Sequence, residues 1–395
     1  MRISGNPKLT LRIKPRAFAS QTVRGLYMSG KRNVAISKSG AYYAMCSLAK
    51  FSGHIFGDCM KKLFTLLLVL CVAAIACAFC FPGCTAEQGT IRLIEVTHSV
   101  FYAPLYAAID GGFFEDEGIT IELTNGGGAD KCMTAVLANQ ADIGFHGPEA
   151  VIYVAAEKSD DFPVIFGQLT EKDGSFLMAR EPIDDFEWSD LEGKEVIGGR
   201  RGGVPAMALE HAMLVNGLVD GVNVTINYDV QYDLIGAAFE GGTGDFCTMF
   251  EPAASAMEDR GVGYKVASVG EAAGDMPFTA FSAKQSWLEE NAETAAAFCR
   301  AMTRAIDFVQ TSSAEKIAEV VLPSFPGTDV ATLANAIQAY KDIGAYSSSL
   351  VMDKSDLDAL QAIIIEAGVI DEKVDFEKIV DNSFAKAAES EVSGA

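Results

Sequence analysis

Short β-rich runs alternate with longer amphipathic stretches over most of the chain. Ile91–Thr97 reads as a strand and Tyr102–Asp110 as a helix, closed by Gly111 and Gly112. Ile119–Thr124 is a second strand, and Gly126–Gly128 lead into a helix over Ala129–Asn139. Ala141–His146 is a third strand, Gly147-Pro148 opens a third helix, and Pro163–Thr170 is a fourth strand. The pattern restarts after residue 190. Strands are expected at Glu195–Gly199, Val224–Tyr228, Asp245–Phe250, Tyr264–Val269 and Phe278–Ser282. Helices are expected from the segment Arg200–Pro205, which starts one, to about Asn216, over Asp233–Glu240, and after Glu251-Pro252.

Strands that alternate with helices imply parallel β-α-β units, so the class is α/β. Two such sets imply two lobes, the second inserted in the first. The expected boundaries are 88–180 for the first lobe, 181–278 for the second, and 279–390 for the return and the C-terminal helices. The chain would cross between lobes near Met178–Pro182 and Pro277–Ser282, and two crossings make a hinge. From Ser286 onward the pattern is helical, with candidates at Glu289–Gln310, Asp329–Asp342, Lys354–Ala367 and Phe376–Ala388. Phe298, Met302, Ile306 and Val309 recur at helical spacing, a stripe suited to docking on the first lobe.

Charge divides the chain in another way. Residues 1–84 carry twelve Lys/Arg and one acid, a net of +11; the remainder carries 19 bases and 52 acids, a net of −33. The acidic part would repel nucleic acid and anionic headgroups, which excludes DNA or RNA binding for it. At the join, Met60-Lys61-Lys62 precedes an uncharged apolar run from Leu63 to Phe81, and then Pro82-Gly83-Cys84. A basic start, an apolar core and small residues at a break form a secretory signal. Gly83-Cys84 resembles the box at which bacterial lipoproteins are cleaved and lipidated, with Ala76-Cys77 as a rival and an uncleaved anchor as the alternative. Residues 60–84 are thus read as a lipoprotein-type signal with Cys84 as lipid acceptor. Residues 1–59 are read as an extension from a start assigned too far upstream, or else a basic cytoplasmic segment. Every version places the acidic part outside the cytoplasmic membrane.

Cys132, Cys247 and Cys299 lie far apart in the acidic part, without CxxC or His/Cys ligand spacing. They read as buried free thiols. No metal site, cofactor motif, G-x-S-x-G or H-E-x-x-H is read, and no catalytic residue is assigned.

Several segments carry a family resemblance. They are Phe101-Tyr102-Ala103-Pro104-Leu105-Tyr106-Ala107-Ala108 with Gly112-Phe113-Phe114 and Glu117-Gly118-Ile119; Gly126-Gly127-Gly128-Ala129-Asp130; Gln140-Ala141-Asp142-Ile143-Gly144; Leu191-Glu192-Gly193-Lys194; and Phe250-Glu251-Pro252. In this order, from Arg92 to Ala388, the chain resembles the solute-binding proteins of ABC importers for nitrate, aliphatic sulfonates, taurine and thiamine-pyrimidine precursors. The resemblance implies a two-lobed type II periplasmic-binding-protein fold that holds its ligand between lobes. It implies permease subunits as partners, a monomer, and a role in transport. Two alternatives stay open: a sensory or other binding lipoprotein without an importer, and a pyrimidine-making enzyme of the same fold. That enzyme's Cys-rich motif is missing from this sequence.

Ligands of such sheets bind outside the carboxyl ends of the strands, and helix N-termini there offer free N–H groups. This geometry nominates Ser99, Phe101 and Tyr102, Gly127 and Gly128 beside Gly126, Gly147, Pro148 and Glu149, Arg201, Gly202 and Gly203, and Phe250 and Glu251. Each has a plainer reading: loop closure for the glycines, core packing for the aromatics, a solvated pair for Arg200 and Arg201, and helix first turns for the glutamates. His98 and His146 end neighbouring strands and read as satisfied histidines at the cleft edge. One arginine pair with two or more glutamates suits a ligand with hydrogen-bond donors, such as an aminopyrimidine, or a zwitterion.

Overall fold

The computed structural model describes residues 89–157 and 161–394. The extension 1–59, the signal 60–84, and the lipidation sites Cys84 and Cys77 lie outside the described residues. Thr85–Ala395 form one compact unit. No helix among the described residues is long and apolar enough to cross a membrane.

Two five-stranded sheets organise the unit. The first is built from β1 (Gly89–Glu95), β2 (Ile119–Asn125), β3 (Ile143–His146), β4 (Pro163–Thr170) and β10 (Thr279–Lys284), in the order β2-β1-β3-β10-β4. The second is built from β5 (Ser175–Ala179), β6 (Glu195–Ile197), β7 (Thr225–Asn227), β8 (Phe246–Phe250) and β9 (Tyr264–Ser268), in the order β7-β6-β8-β5-β9. β1, β2 and β3 run parallel, as do β6, β7 and β8. The expectation of wholly parallel units needs correction. β10 is antiparallel to β3 and β4, and β5 is antiparallel to β8 and β9. These are the strands that follow each crossing, so the chain enters its new sheet from the opposite side.

The crossing points shift as well. β5 already belongs to the second sheet, so the first passage is through residues 171–174 and not near Met178–Pro182. The reason is chemical: Ser175–Ala179 is apolar and fully buried, and nothing in such a run says which sheet it joins.

The longer helices fill the faces. In chain order they are α1 (Ala103–Asp110), α2 (Ala129–Leu137), α3 (Glu149–Ala156), α4 (Val204–Val215), α5 (Ala292–Thr311), α6 (Ala314–Val321), α7 (Val330–Asp342), α8 (Lys354–Glu366) and α9 (Ser383–Ser393). α6 had no counterpart in the sequence reading, and the helix expected over Phe376–Ala388 is two pieces, Phe376–Ile379 and α9. The stripe of α5 is buried as expected and packs on α1 and α9. Phe298 meets Phe114, Phe166 and Phe281 at ring distances of 5.1, 5.7 and 5.0 Å. Burying one such ring stabilises the fold by about 1.5–3 kcal/mol.

β4 is an edge strand by order, yet all eight of its residues are buried. The tail covers it: Gln168 N donates to Leu350 O at 2.8 Å, and Asp381 N donates to Ile165 O at 2.8 Å. A covered edge cannot recruit a foreign strand.

Candidate functional site

The two lobes meet where strand ends face each other. Contacts across the gap define a cleft. Tyr153 on α3 donates its hydroxyl to Gly202 O at 3.1 Å, in the turn before α4. Arg200 of that turn reaches Asp130 of α2 at 3.9 Å. The Phe101 ring meets the Phe250 ring edge-on at 5.4 Å. Glu251 N donates to the Tyr340 hydroxyl of α7 at 2.8 Å.

Glu149 carries the most unusual chemistry here. It opens α3, it is 4% exposed, and its Oε2 has no hydrogen-bond partner among the described residues. Burial pushes its carboxyl up to about 7, against the pull of the Glu149 and Ala150 amides and the Arg200 charge. Gly147 makes this position possible. A Cβ there would lie 1.9 Å from Glu149 Oε2, so the carboxyl folds back over a residue that must lack a side chain.

Asp173 is a second such group, in the passage 171–174. Its Oδ1 accepts from Ser175 N at 2.6 Å and from the Ser175 hydroxyl, while Oδ2 has no partner among the described residues. Burial pushes it up to about 7. Tyr102 lies between these groups in character: its ring stands edge-on to Phe145 at 4.6 Å, and burial raises its phenol well above the usual range. The Tyr232, Glu95 and Glu149 side chains act on it in the same direction. Phe101, fully buried, packs its ring on those of Phe250, Phe278 and Tyr340 where the lobes meet.

The other nominated residues divide. Ser99 caps the turn Val100–Tyr102, its hydroxyl accepting from Phe101 N at 3.2 Å. The amides of Gly126, Gly127 and Gly128 are all engaged, with Glu95 O, Asn125 Oδ1 and Val96 O. This Gly-rich turn therefore offers a ligand no free amide of its own, because it folds back on β1. Pro148 sets the first turn of α3, and its carbonyl accepts from Val151 and Ile152. Gly202 supplies a φ of +77° at an open position, and Gly203 precedes α4. Arg201 turns away: its guanidinium lies 3.7 Å over the Tyr228 ring, near Asp220 at 3.6 Å, on the outer side of the second lobe. Arg200, its neighbour, is the one whose charge reaches Asp130 and Glu149 of the first lobe. Glu251 is buried but consumed. It accepts from Ser255 N, the Ser255 hydroxyl and Lys265 Nζ at 3.0, 2.9 and 2.7 Å.

Both histidines are satisfied within the protein. His146 Nδ1 donates to Gly147 O at 2.9 Å and Nε2 accepts from the Ser282 hydroxyl at 2.9 Å. Burial holds its pKa down at about 4, so the ring is neutral near pH 7. His98 pairs with Glu95 at 2.9 Å and bonds to Ser324 O. Cys132, Cys247 and Cys299 are buried free thiols, and burial pushes the first two up to about 12. Among the described residues no cluster of His, Cys, Asp and Glu could hold a metal ion.

Around the lobe junction the described residues thus gather two buried carboxyls with an unpartnered oxygen each, buried phenols and packed aromatic rings, with Arg200 nearby. Such a surface can accept hydrogen bonds from a small flat molecule and exclude water around it.

Two α/β lobes joined by two crossings, with a cleft at the strand ends, define the periplasmic-binding-protein fold. Solved structures share it. The alkanesulfonate-binding protein SsuA from Xanthomonas axonopodis pv. citri, bound to MOPS, is 15% identical, with a TM-score of 0.61 over 75% of this chain and 99% of that one. The periplasmic nitrate-binding protein NrtA from Synechocystis PCC 6803 is also 15% identical, with a TM-score of 0.61 over 78% of this chain and 90% of that one. YtlA of Bacillus subtilis (strain 168), provisionally named a binding protein, is 36% identical over 323 residues, which is 81% of this chain and 97% of YtlA. The profile of the family described as NMT1/THI5 like matches residues 100–315, and the chain belongs to that family.

Proposed function

We propose that this chain is the extracytoplasmic solute-binding component of an ABC importer, held at the outer face of the cytoplasmic membrane through Cys84. It captures a small polar organic molecule between its lobes and hands it to permease subunits. The full-length similarity to a protein named as a binding protein supports the role. The observation that carries the ligand class is the buried, unpartnered Oε2 of Glu149. A carboxylate in that state wants a donor, and a donor-bearing ligand between the lobes would supply one. Sulfonate and nitrate, named for the structural neighbours, bring only acceptors and negative charge. A flat molecule with amino or protonated ring nitrogens fits the acceptors and the aromatic rings, so the aminopyrimidine class is preferred within the set that the family suggests.

Calorimetric titration separates these readings. Hydroxymethyl-aminopyrimidine is expected to bind saturably and release little heat on mixing with a Glu149→Gln variant. Tight binding of taurine with none of the aminopyrimidine refutes the donor-bearing ligand. Mass measurement of the mature N-terminal peptide tests the anchor: a diacylated Cys84 is expected, and an uncleaved chain refutes it.

A further inference from the structure

The cleft leaves the outer side of the second lobe unexplained. There α4 and the loop after it face α8 across a pocket of about 250 Å3. Its floor is apolar, with Met207, Met213, Leu218 and Ile226 from the second lobe and Ile363 from α8. Leu214 and Val219 also line it, and they are 39% and 42% exposed. Large apolar side chains left in water beside a concave surface mark sites of binding.

Charge at the rim is uneven. Arg201 is matched already, by Glu210 at 4.0 Å and Asp220 at 3.6 Å. The Tyr228 hydroxyl bonds to both of those carboxylates and locks them in place. On the facing wall Glu366 meets His211 at 3.1 Å, and its side chain remains 47% exposed. Three carboxylates stand against one guanidinium and one imidazole, and the half-exposed one, Glu366 on α8, is held only by the imidazole.

The walls come from different lobes. Leu350 and Asp381, on either side of α8, are hydrogen-bonded to β4, so α8 rides with the first sheet. α4 belongs to the second sheet and begins at the turn that lines the cleft. Met207, on the pocket floor, also receives the Tyr153 hydroxyl at 3.9 Å. An occupant would touch both lobes and the segment that forms one wall of the cleft.

We propose that this pocket is a second ligand site, for a small amphiphilic cation: a short hydrocarbon body on the apolar floor and an ammonium head at Glu366. It bridges α4 and α8 and clamps the lobes in the arrangement seen here. By linkage it and a cleft ligand favour each other.

The test uses the full chain and hexylamine as probe, with hexanol and hexanoate as comparators, followed by calorimetry. Hexylamine is expected to bind best and hexanoate worst. Glu366→Lys, on a half-exposed side chain, should weaken hexylamine binding about five- to tenfold, the range of a partly exposed charge pair reversed. Ala367→Trp, which fills the mouth from a helix end, should abolish it. Thermal unfolding of each variant confirms that it folds. Hydrogen exchange should slow in both α4 and α8 when hexylamine is bound. The proposal is overturned by hexanoate binding as well as hexylamine, or by binding unchanged in both variants. It is also overturned by protection confined to one helix, or by no saturable binding below about 10 mM, where fragment-sized ligands of real pockets are detected.

Discussion

Glu149 sits where two effects oppose. The first turn of a helix favours a carboxylate, while burial disfavours the charge, and here burial wins. A free glutamate ionises near 4.5 and this one near 7. Between those values the folded chain keeps a proton that the unfolded chain has lost. The stability from this linkage is complete below pH 4.5 and disappears as pH rises through 7. Glu149→Gln lacks that titration. The stability of the native protein minus that of the variant should therefore fall by on the order of 2–3 kcal/mol from pH 4.5 to 8, measured by urea unfolding at each pH. A flat difference would place the carboxyl in water. The same variant should weaken the cleft ligand about 10- to 100-fold, the loss of a charge-assisted hydrogen bond. Some of this was legible in the sequence. Gly147-Pro148-Glu149 follows a buried strand, and that position nominated the glutamate. Asp173 and Tyr153 were not legible, because what makes them notable is a partner, or the lack of one, far away in the chain. The partners of Arg200 and Arg201 were not legible either: the first reaches Asp130 and the second Asp220 and Tyr228, residues remote in the sequence.

At the scale of elements, α3 and α4 do more than cover sheets. Tyr153 of α3 and the turn before α4 make a hydrogen bond between lobes, flanked by the looser Arg200–Asp130 pair. Tyr153→Phe removes that bond and the weaker contact of the same hydroxyl with Met207 Sδ, and little else. It should raise the dissociation constant of a cleft ligand about threefold to tenfold, while the unfolding midpoint moves by a degree or two. Equal loss of stability and affinity would show that the tyrosine is core and not latch. The elements themselves were mostly readable, since period and glycine punctuation mark where strands and helices start. Strand direction was not. β5 and β10 carry apolar residues like their parallel neighbours, and direction depends on where the chain re-enters a sheet, which no local pattern encodes.

The whole molecule is two sheets with unequal histories. Every strand of the second sheet comes from the single stretch Ser175–Ser268. A fragment spanning residues 173–277 should fold alone and melt cooperatively by circular dichroism, whereas 89–170 should not. Cooperative melting of the second fragment would refute this. The reason lies in the position of β10. It separates β3 from β4, which do not pair with each other, and it comes from residues 279–284. As the polypeptide leaves the ribosome, the first lobe therefore stays a half-made sheet with a gap in its middle until more than two-thirds of the sequence has been synthesised. For the exported role proposed above, such a delay would suit a chain that crosses a membrane unfolded. The strand order leaves the first lobe open until β10 is made, and the last segments then cover its β4 edge.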